Sequence, residues 1–455
     1  MSPDRRLIAL LVAALAVAVP AIVLVTLCVG RACERAAPIT ARVPFCSLPR
    51  DVRDLLAAGF RDGRSPHVMA VTSEGATVVG STARPEARWP SVDPARETVP
   101  LVFVPFGADG VVPELLPDVP HSVRLDAVAP TISAIIGLDR PHPGVRSGEA
   151  LPLYGDPRPQ APRPRLVLLV VWKGVGSTDL KTSGAHAVNW LELNALFKGA
   201  TGSGAAQAGS LPLDPTSVLT TVGTGGLPRD HGITGTLVRN DRGRVVRAFD
   251  RGSPFSVIAG LGDDLDELRR QAPRIGLVGT EPGDRGLIGR NWYLEHDRDD
   301  VVLSDRSTPS EQVGLVRRIL GSGYGSDTVP DLLAVVMEGP VRELDAALGP
   351  LIEAAGDAAD RSMLLVVTAT GSESVSPTEV VPVASVERAL QRALGEDVVE
   401  ATAVGGFFLD QEALARTGIT DDRVVNALRE IEAPDGSSLF ADVFAQVAVT
   451  FARYC

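Results

Sequence analysis

The sequence predicts an α/β fold with a mostly parallel central sheet, helices on both faces, and an N-terminal transmembrane helix. Three apolar runs of strand length predict the sheet: residues 165–171 (RLVLLVV), 331–337 (DLLAVVM) and 363–368 (MLLVVT). Amphipathic helices are predicted at 309–320 and 342–355, before and between the last two runs. Apolar strands that alternate with helices are typical of a parallel sheet that helices cover on both faces.

The length and charge of the chain limit the classes of function. The 455 residues include 44 Lys and Arg against 56 Asp and Glu, which gives a formal net charge of -12. This length suffices for one or two domains with a large core. A nucleic-acid-binding protein carries a basic surface, so the acidic balance argues against nucleic acid as a partner.

The N-terminus carries a targeting signal. Residues 7–30 form an uncharged apolar run behind Arg5 and Arg6. About 20 apolar residues span a bilayer at about 1.5 Å each, whereas the apolar core of a secretory signal is usually about 7–15 residues. We therefore expect residues 1–35 to form a single-pass anchor in the cell membrane, with the C-terminal domain outside the cytoplasm. A cleaved signal peptide is the alternative.

The segment 36–152 is predicted to hold strands between two helices. Residues 125–138 (LDAVAPTISAIIGL) form the second helix, with Pro130 in its first turn and Gly137 at its end. The earlier elements are a helix at 50–60 and strands at 67–72, 76–80 and 99–105 (VPLVFVP).

A proline-rich connector at 153–164 separates this segment from residues 165–455. Thr308-Pro309-Ser310-Glu311 is a capping box that opens the helix at 309–320. The other elements expected in the second segment are helices at 263–271, 386–394 and 421–431, and strands at 274–279 and 447–451.

Hydroxyl side chains are concentrated in residues 214–233, DPTSVLTTVGTGGLPRDHGI. A hydroxyl at a strand-to-helix turn can present a nucleophile to a phosphoryl group. A Ser/Thr-rich helix cap followed by a glycine turn is the alternative interpretation of the same residues.

The order of Thr224-Gly225, Pro228 and His231-Gly232-Ile233 resembles the alkaline phosphatase superfamily, most closely its type I phosphodiesterase/nucleotide pyrophosphatase branch. The resemblance implies hydrolysis of phosphate esters at a two-metal site, usually zinc. It makes Thr216 the candidate nucleophile and puts Thr236 where the family has a phosphate-contacting Asn. His231 belongs to the family's structural turn, so a structural role is favoured over catalysis.

The strand ends that carry metal ligands in that family differ in this chain. Lys173-Gly174 stands where the family has Asp-Gly, Glu338 follows the run 331–337, and Ala369-Thr370-Gly371 follows the run 363–368. An ammonium group cannot coordinate a metal ion. Lys173 and Thr236 remain as candidate anion contacts.

The resemblance therefore implies a catalytically degenerate pseudoenzyme without cofactors, which binds or scaffolds an envelope protein. An active phosphodiesterase or phosphatase with Thr216 as nucleophile and a rearranged zinc site is the alternative. A metal-free transferase that uses Thr216 and Lys173 is a third interpretation.

The order of the segments departs from the family. The Val-Pro-Leu strand and Pro-Thr helix that close the family's chain lie in 36–152 here, ahead of the strand that should come first. We expect a circular permutation, in which 36–152 corresponds to the family's C-terminal part and 165–455 to its N-terminal and middle parts. Two incomplete domains are the alternative.

Two of the four cysteines, Cys46 and Cys455, lie at the two ends of the predicted exported domain. Such a pair in an exported domain suggests a disulfide. If the chain is permuted, both lie at the family's original connection and should be close in space. Unpaired thiols, or Cys33 as the partner, are the alternatives.

Overall fold

A computed structural model describes residues 44–83, 88–92, 98–107, 123–153, 163–182, 192–193, 196, 201–270, 272–294, 298–371, 379–451 and 455. Residues Pro44–Cys455 form one compact unit. The anchor predicted at 7–30 and most of the connector at 153–164 lie outside the described residues. Within the described part, no helix has the length and apolar character needed to cross a membrane.

The strands are β1 (Val68–Thr72), β2 (Ala76–Val79), β3 (Thr98–Phe106), β4 (Leu166–Trp172), β5 (Thr201–Gln207), β6 (Leu237–Arg239), β7 (Val245–Arg247), β8 (Ile275–Gly279), β9 (Asp300–Leu303), β10 (Asp331–Met337), β11 (Met363–Ala369), β12 (Glu379–Pro382), β13 (Val399–Ala403), β14 (Gly406–Leu409) and β15 (Phe440–Ala445).

The α-helices are α1 (Arg50–Gly59), α2 (Val128–Ile136), α3 (Ser177–Thr182), α4 (Pro215–Thr224), α5 (Pro228–His231), α6 (Leu261–Leu268), α7 (Pro309–Leu320), α8 (Val341–Ala358), α9 (Val383–Leu394), α10 (Gln411–Thr417), α11 (Asp421–Arg429) and α12 (Gln446–Thr450).

A seven-stranded sheet in the order β5-β3-β11-β4-β10-β8-β9 forms the centre of the fold. The five strands from β11 to β9 are parallel to one another, and β3 runs antiparallel to both of its neighbours. Every residue of β4, β10 and β11 is buried, as the three apolar runs predict. The expected mixed α/β fold with a large, mostly parallel sheet is confirmed.

The register of the central strands brings their carboxyl ends to one level. Trp172 of β4 lies opposite Met337 of β10 and Ala369 of β11. The backbone pairing continues one residue further, since Lys173 N–H donates to Met337 O and Thr370 N–H donates to Trp172 O. The residues that follow these three strands therefore emerge at the same edge of the sheet.

A second, antiparallel sheet in the order β13-β14-β1-β15 combines strands from both ends of the described chain. Its apolar core includes Trp89, whose ring centroid lies 5.1 Å from that of Phe407. Helices α9 and α11 add Leu390 and Leu428 to this core.

The prediction of a strand at 447–451 is wrong. The chain forms helix α12 over Gln446–Thr450, and the strand is β15, which ends at Ala445. The ladder with β1 has its last pair at Val68 opposite Ala445, so the residues beyond have no strand to pair with. The alternating valines of 446–450 therefore complete one turn of helix instead.

The predicted disulfide between Cys46 and Cys455 is present, with the two Cα atoms 5.2 Å apart. The nearby carboxylate of Asp442 fixes the same region, because its Oδ2 accepts hydrogen bonds from Phe45 N (2.7 Å) and Ser47 Oγ (2.8 Å). Arg429 Nη2 donates to Asp442 Oδ1 at 3.1 Å. The two ends of the folded unit are thus joined both covalently and by polar contacts.

Replacement of both cysteines, C46S/C455S, should lower the free energy of unfolding by about 4 kcal/mol, because the bond constrains a very long loop in the unfolded chain. Urea unfolding of the oxidised wild type and the double variant measures this difference. Reductant should destabilise the wild type to the level of the variant and leave the variant unchanged. Equal stability of oxidised wild type and variant would contradict this role of the bond.

Candidate functional site

The candidate site lies at the carboxyl edge of the parallel strands. Lys173 follows β4, Thr280 and Glu281 follow β8, and Glu338 follows β10. In parallel sheets this edge is where ligand sites are usually found. The order of the strands places the end of β10 between those of β4 and β8.

Lys173 is enclosed by acidic and hydroxyl side chains. Its Nζ lies 2.7 Å from Glu281 Oε1 and donates to Thr280 Oγ1 at 3.0 Å. It also lies 2.7 Å from Asp284 Oδ1, an ion pair without hydrogen-bond geometry. The Lys173 side chain is 1% exposed, so its charge depends on these partners rather than on water.

Backbone amides hold the Asp284 carboxylate, and a second cation holds that of Glu281. Asp284 Oδ2 accepts hydrogen bonds from Thr280 N at 2.7 Å and Glu281 N at 3.2 Å. Arg247 Nη2 donates to Glu281 Oε2 at 2.9 Å. Two positive and two negative side chains therefore meet here, and the buried charges balance.

Helix α4 positions the predicted nucleophile. Asp214 caps its N-terminus, because Asp214 Oδ1 accepts from Thr216 N at 2.9 Å, and Pro215 occupies the first helical position. The helix ends at Gly225, whose φ of 79° favours glycine. These capping signals lie next to the helix in the sequence.

The structure brings Thr216 and Thr236 together. Their Oγ1 atoms are 3.1 Å apart, and Thr236 Oγ1 donates to Asp214 Oδ1 at 2.9 Å. Thr216 is 1% exposed. A Cβ added to Gly283 would lie 2.4 Å from Thr216 Oγ1, so the backbone of the 3₁₀ turn Pro282–Leu287 rests directly on this hydroxyl. Thr216 as a nucleophile stays a prediction, and its hydroxyl is enclosed.

The same turn connects Thr216 to Lys173. Asp284 pairs with Lys173, while its neighbour Gly283 covers Thr216. Gly286 covers the next hydroxyl, because a Cβ there would lie 2.4 Å from Thr220 Oγ1. The side-chain hydrogen bonds and ion pairs of Lys173 go to Thr280, Glu281 and Asp284, so the turn Pro282–Leu287 is the link between Lys173 and Thr216.

His231 is a structural residue, as the sequence favours. It is fully buried, its Nδ1 accepts from Ile233 N at 3.1 Å, and its Nε2 lies 3.2 Å from Thr221 Oγ1. The unprotonated Nδ1 assigns the proton to Nε2, which donates to Thr221. Burial lowers the pKa of His231 to about 3, so the ring is neutral at ordinary pH.

A cavity of about 480 Å³ opens beside the Lys173 cluster. Its wall includes Thr280, Glu281 and Glu338, together with Pro309 at the start of α7 and Pro340 directly before α8. A groove of about 670 Å³ lies beside α2, away from the strand ends. Two arginines on that groove, Arg140 and Arg146, both pair with Asp264 and donate to Thr224 O at the end of α4.

The sequence alone did not identify Arg247, Thr280, Glu281 and Asp284 as site residues. Glu281 and Asp284 follow the predicted strand at 274–279, and acidic residues directly after a parallel strand are the signal that could have found them. The sequence does not show the order of the strands, in which β10 lies between β4 and β8. This order brings the carboxylates of Glu281 and Asp284 to Lys173.

The residues at this edge do not fit the two-zinc site that an active member of the predicted family would need. Within the described ranges, no group of three His, Cys, Asp or Glu side chains is arranged to hold a metal ion. Glu281 and Asp284 lie together, but the Lys173 ammonium already occupies the position between them.

Comparison with known proteins gives a similarity to solved structures alone. No protein-family model matches the chain, and no curated protein matches it. Among solved structures, the chain is similar to wild-type alkaline phosphatase PafA, with 12% sequence identity over 61% of this chain and 77% of that chain and a TM-score of 0.41. A likeness of this size identifies neither the family nor the activity of the chain.

The variant Lys173→Met should lower the free energy of unfolding by about 3 kcal/mol or more, because it leaves the buried Asp284 carboxylate without its cation, while Glu281 keeps its pair with Arg247. The double variant K173M/D284N should recover part of this loss, since it removes the unpaired buried charge. Urea unfolding measures both. The matched control Arg317→Met, on the exposed face of α7, should change stability by less than about 0.5 kcal/mol. A loss for K173M as small as that of the control would contradict the role of the ion pairs.

The neutral His231 predicts a loss of stability in mild acid. In the unfolded chain a histidine has a pKa of about 6.5, so below that pH the unfolded state binds a proton that the folded state does not. The free energy of unfolding should therefore fall by about 1.4 kcal/mol per pH unit between about pH 6.5 and 3 from this residue. Burial also lowers the pKa of His67, to about 4, which adds to the slope.

Urea unfolding across this pH window in the wild type and in His67→Gln separates the two contributions, because the slope from His231 should remain in the variant. The ring signals of His231 in NMR should stay those of a neutral imidazole down to about pH 4, because the pKa of the folded state is about 3. A His231 ring that titrates near the ordinary histidine pKa would show that the residue is not buried as described.

Proposed function

We propose that the chain is a membrane-anchored extracytoplasmic protein of the alkaline phosphatase type that has lost metal catalysis and acts as a binding or scaffolding pseudoenzyme of the cell envelope. The motif Thr224-Gly225, Pro228 and His231-Gly232-Ile233 supports the relation to this superfamily and to its type I phosphodiesterase/nucleotide pyrophosphatase branch. The parallel sheet, with the candidate site at its carboxyl edge, is compatible with it.

The single observation that carries the loss of catalysis is the position of Lys173. Its ammonium lies 2.7 Å from Glu281 Oε1 and from Asp284 Oδ1, at the strand end where the predicted family holds a metal-binding Asp. A fixed cation that already neutralises the local carboxylates would repel a divalent ion. The side chain therefore supplies the positive charge at this edge without a metal, and the cavity beside it is the proposed binding site.

The circular permutation belongs to this proposal. Strand β3 of the front segment lies between β11 and β5 in the central sheet, so residues on both sides of the connector contribute to one sheet. The Cα atoms of Cys46 and Cys455 are 5.2 Å apart. Both observations support termini at a former chain connection, with a disulfide in place of the peptide link.

The proposed location rests on the apolar run 7–30 and on the disulfide. A disulfide persists mainly in oxidising compartments outside the cytoplasm. An envelope protein is the proposed partner, and the membrane contact is proposed to be made by the N-terminal run.

The active phosphodiesterase or phosphatase remains the alternative, and Thr216 at the start of α4 is the feature that favours it. Its hydroxyl hydrogen-bonds with Thr236 and lies beneath Gly283. For this hydroxyl to attack a phosphate, the turn Pro282–Leu287 would have to move away from α4. The closed contact is why we favour the binding role.

Neither the wild type nor Lys173→Asp should hydrolyse a generic aryl phosphodiester or aryl phosphate with added zinc, because one new carboxylate cannot hold two divalent ions. The assay uses the purified full chain, with Thr216→Val as the matched control. Turnover by the wild type that T216V abolishes would establish the hydrolase alternative. Turnover by K173D well above wild type would show that a usable metal site remains.

A further inference from the structure

A basic stretch stands out on this acidic protein. Residues 239–257 contain five arginines and two aspartates, in a chain whose net charge is -12. Two of the arginines and one aspartate pair with residues outside the stretch, which leaves three arginines against Asp250, a local excess of +2. The stretch comprises the end of β6, the turn to β7 and the loop that follows β7. Such a local excess of one sign on a surface of the opposite sign favours an anionic partner.

Three of these arginines are available to such a partner. Arg239 pairs with Glu400 at 2.8 Å, and Arg247 pairs with Glu281 at 2.9 Å. The other three are exposed, and their side chains form no hydrogen bond or ion pair with the described residues. They are Arg242, Arg244 and Arg251.

Large apolar side chains are exposed beside these arginines. Phe255 is 51% exposed, Trp292 is 36% exposed and Leu294 is 80% exposed. Leu294 has a φ of 61°, a conformation that non-glycine residues seldom adopt. Grouped exposed apolar side chains of this size on a soluble surface usually mark an interaction site.

Contacts between the loops make the two sets of side chains neighbours. Asn240 Nδ2 lies 3.4 Å from Gly252 O, which ties the β6–β7 turn to the loop that carries Arg251 and Phe255. Trp292 Nε1 donates to Ser256 O at 3.1 Å, which ties the segment that carries Trp292 and Leu294 to the loop that carries Arg251 and Phe255. A small buried core lies beneath this region and includes Val238 and Phe249. The surface is therefore built on a fixed platform.

We propose that this basic–aromatic patch (Arg242, Arg244, Arg251, Phe255, Trp292 and Leu294) docks onto a bilayer surface that contains anionic phospholipid. Guanidinium groups bind the lipid phosphates, while Trp, Phe and Leu side chains enter the interface between headgroups and acyl chains. The positive charge of the patch complements an anionic surface, and its exposed Phe, Trp and Leu side chains suit the interface between lipid headgroups and acyl chains. The proposal is independent of the loss of catalysis and of whether the N-terminal run is retained.

The test uses Trp292 as the probe, because the other tryptophans in the described residues, Trp89 and Trp172, are fully buried. Residues 44–455, which form one compact unit and lack the apolar run 7–30, are mixed with vesicles of brominated phosphatidylglycerol and phosphatidylcholine, or of brominated phosphatidylcholine alone. Bromine quenches a tryptophan only on contact, so we expect quenching in the anionic vesicles, little in the neutral ones, and its loss in Trp292→Phe. High salt should weaken it, because the surface charges are then screened.

The triple variant R242Q/R244Q/R251Q should lower the ratio of docked to undocked protein about 100-fold, since each arginine near an anionic surface contributes about fivefold. The matched control R317Q/R318Q/R416Q removes the same charge from exposed positions elsewhere and should dock as the wild type does. Quenching that is absent, equal in neutral vesicles, or unchanged in the triple variant would overturn the proposal. Self-association that Trp292→Phe abolishes, without quenching by lipid, would instead assign the patch to a contact between copies of the chain.

Discussion

The ion pairs of Lys173 are the interaction on which the carboxyl edge depends. Strand β4 is buried along its whole length, so the residue that follows it enters the protein interior at the end of the sheet. A buried ammonium is costly unless carboxylates surround it. Glu281 and Asp284 meet that requirement, and both come from the segment after β8. The charge of Lys173 at the end of β4 thereby fixes the position of the segment that follows β8.

That segment then determines what becomes of the hydroxyls on α4. Once Asp284 is held by Lys173, Gly283 and Gly286 lie against Thr216 and Thr220 at distances that no larger residue could occupy. The Thr216 hydroxyl, the candidate nucleophile, is consequently used in a packing contact and in a hydrogen bond with Thr236. The buried cation of Lys173, the closed turn Pro282–Leu287 and the enclosed hydroxyl of Thr216 are therefore parts of one connected arrangement.

The sequence predicted most of the fold because the signals were local. Strands β4, β10 and β11 are uniformly apolar, and the capping box at Thr308 and Glu311 starts α7 as expected. The prediction of a strand at 447–451 was wrong because a strand needs a partner strand to pair with. The ladder between β15 and β1 ends at Ala445, opposite Val68, so the residues after Ala445 have no partner. The partners of Lys173 could not be predicted for a similar reason: Glu281 lies 108 residues away, and only the order of strands brings it near.

Anomalous diffraction from crystals grown with zinc tests most directly whether Lys173 takes the place of a metal ion. Data collected at the zinc edge locate any bound zinc independently of the side chains. The account predicts continuous density for Lys173 between Glu281 and Asp284, and no anomalous peak among Glu281, Asp284 and Glu338. An anomalous peak at these carboxylates, with the Lys173 side chain displaced from them, would contradict it.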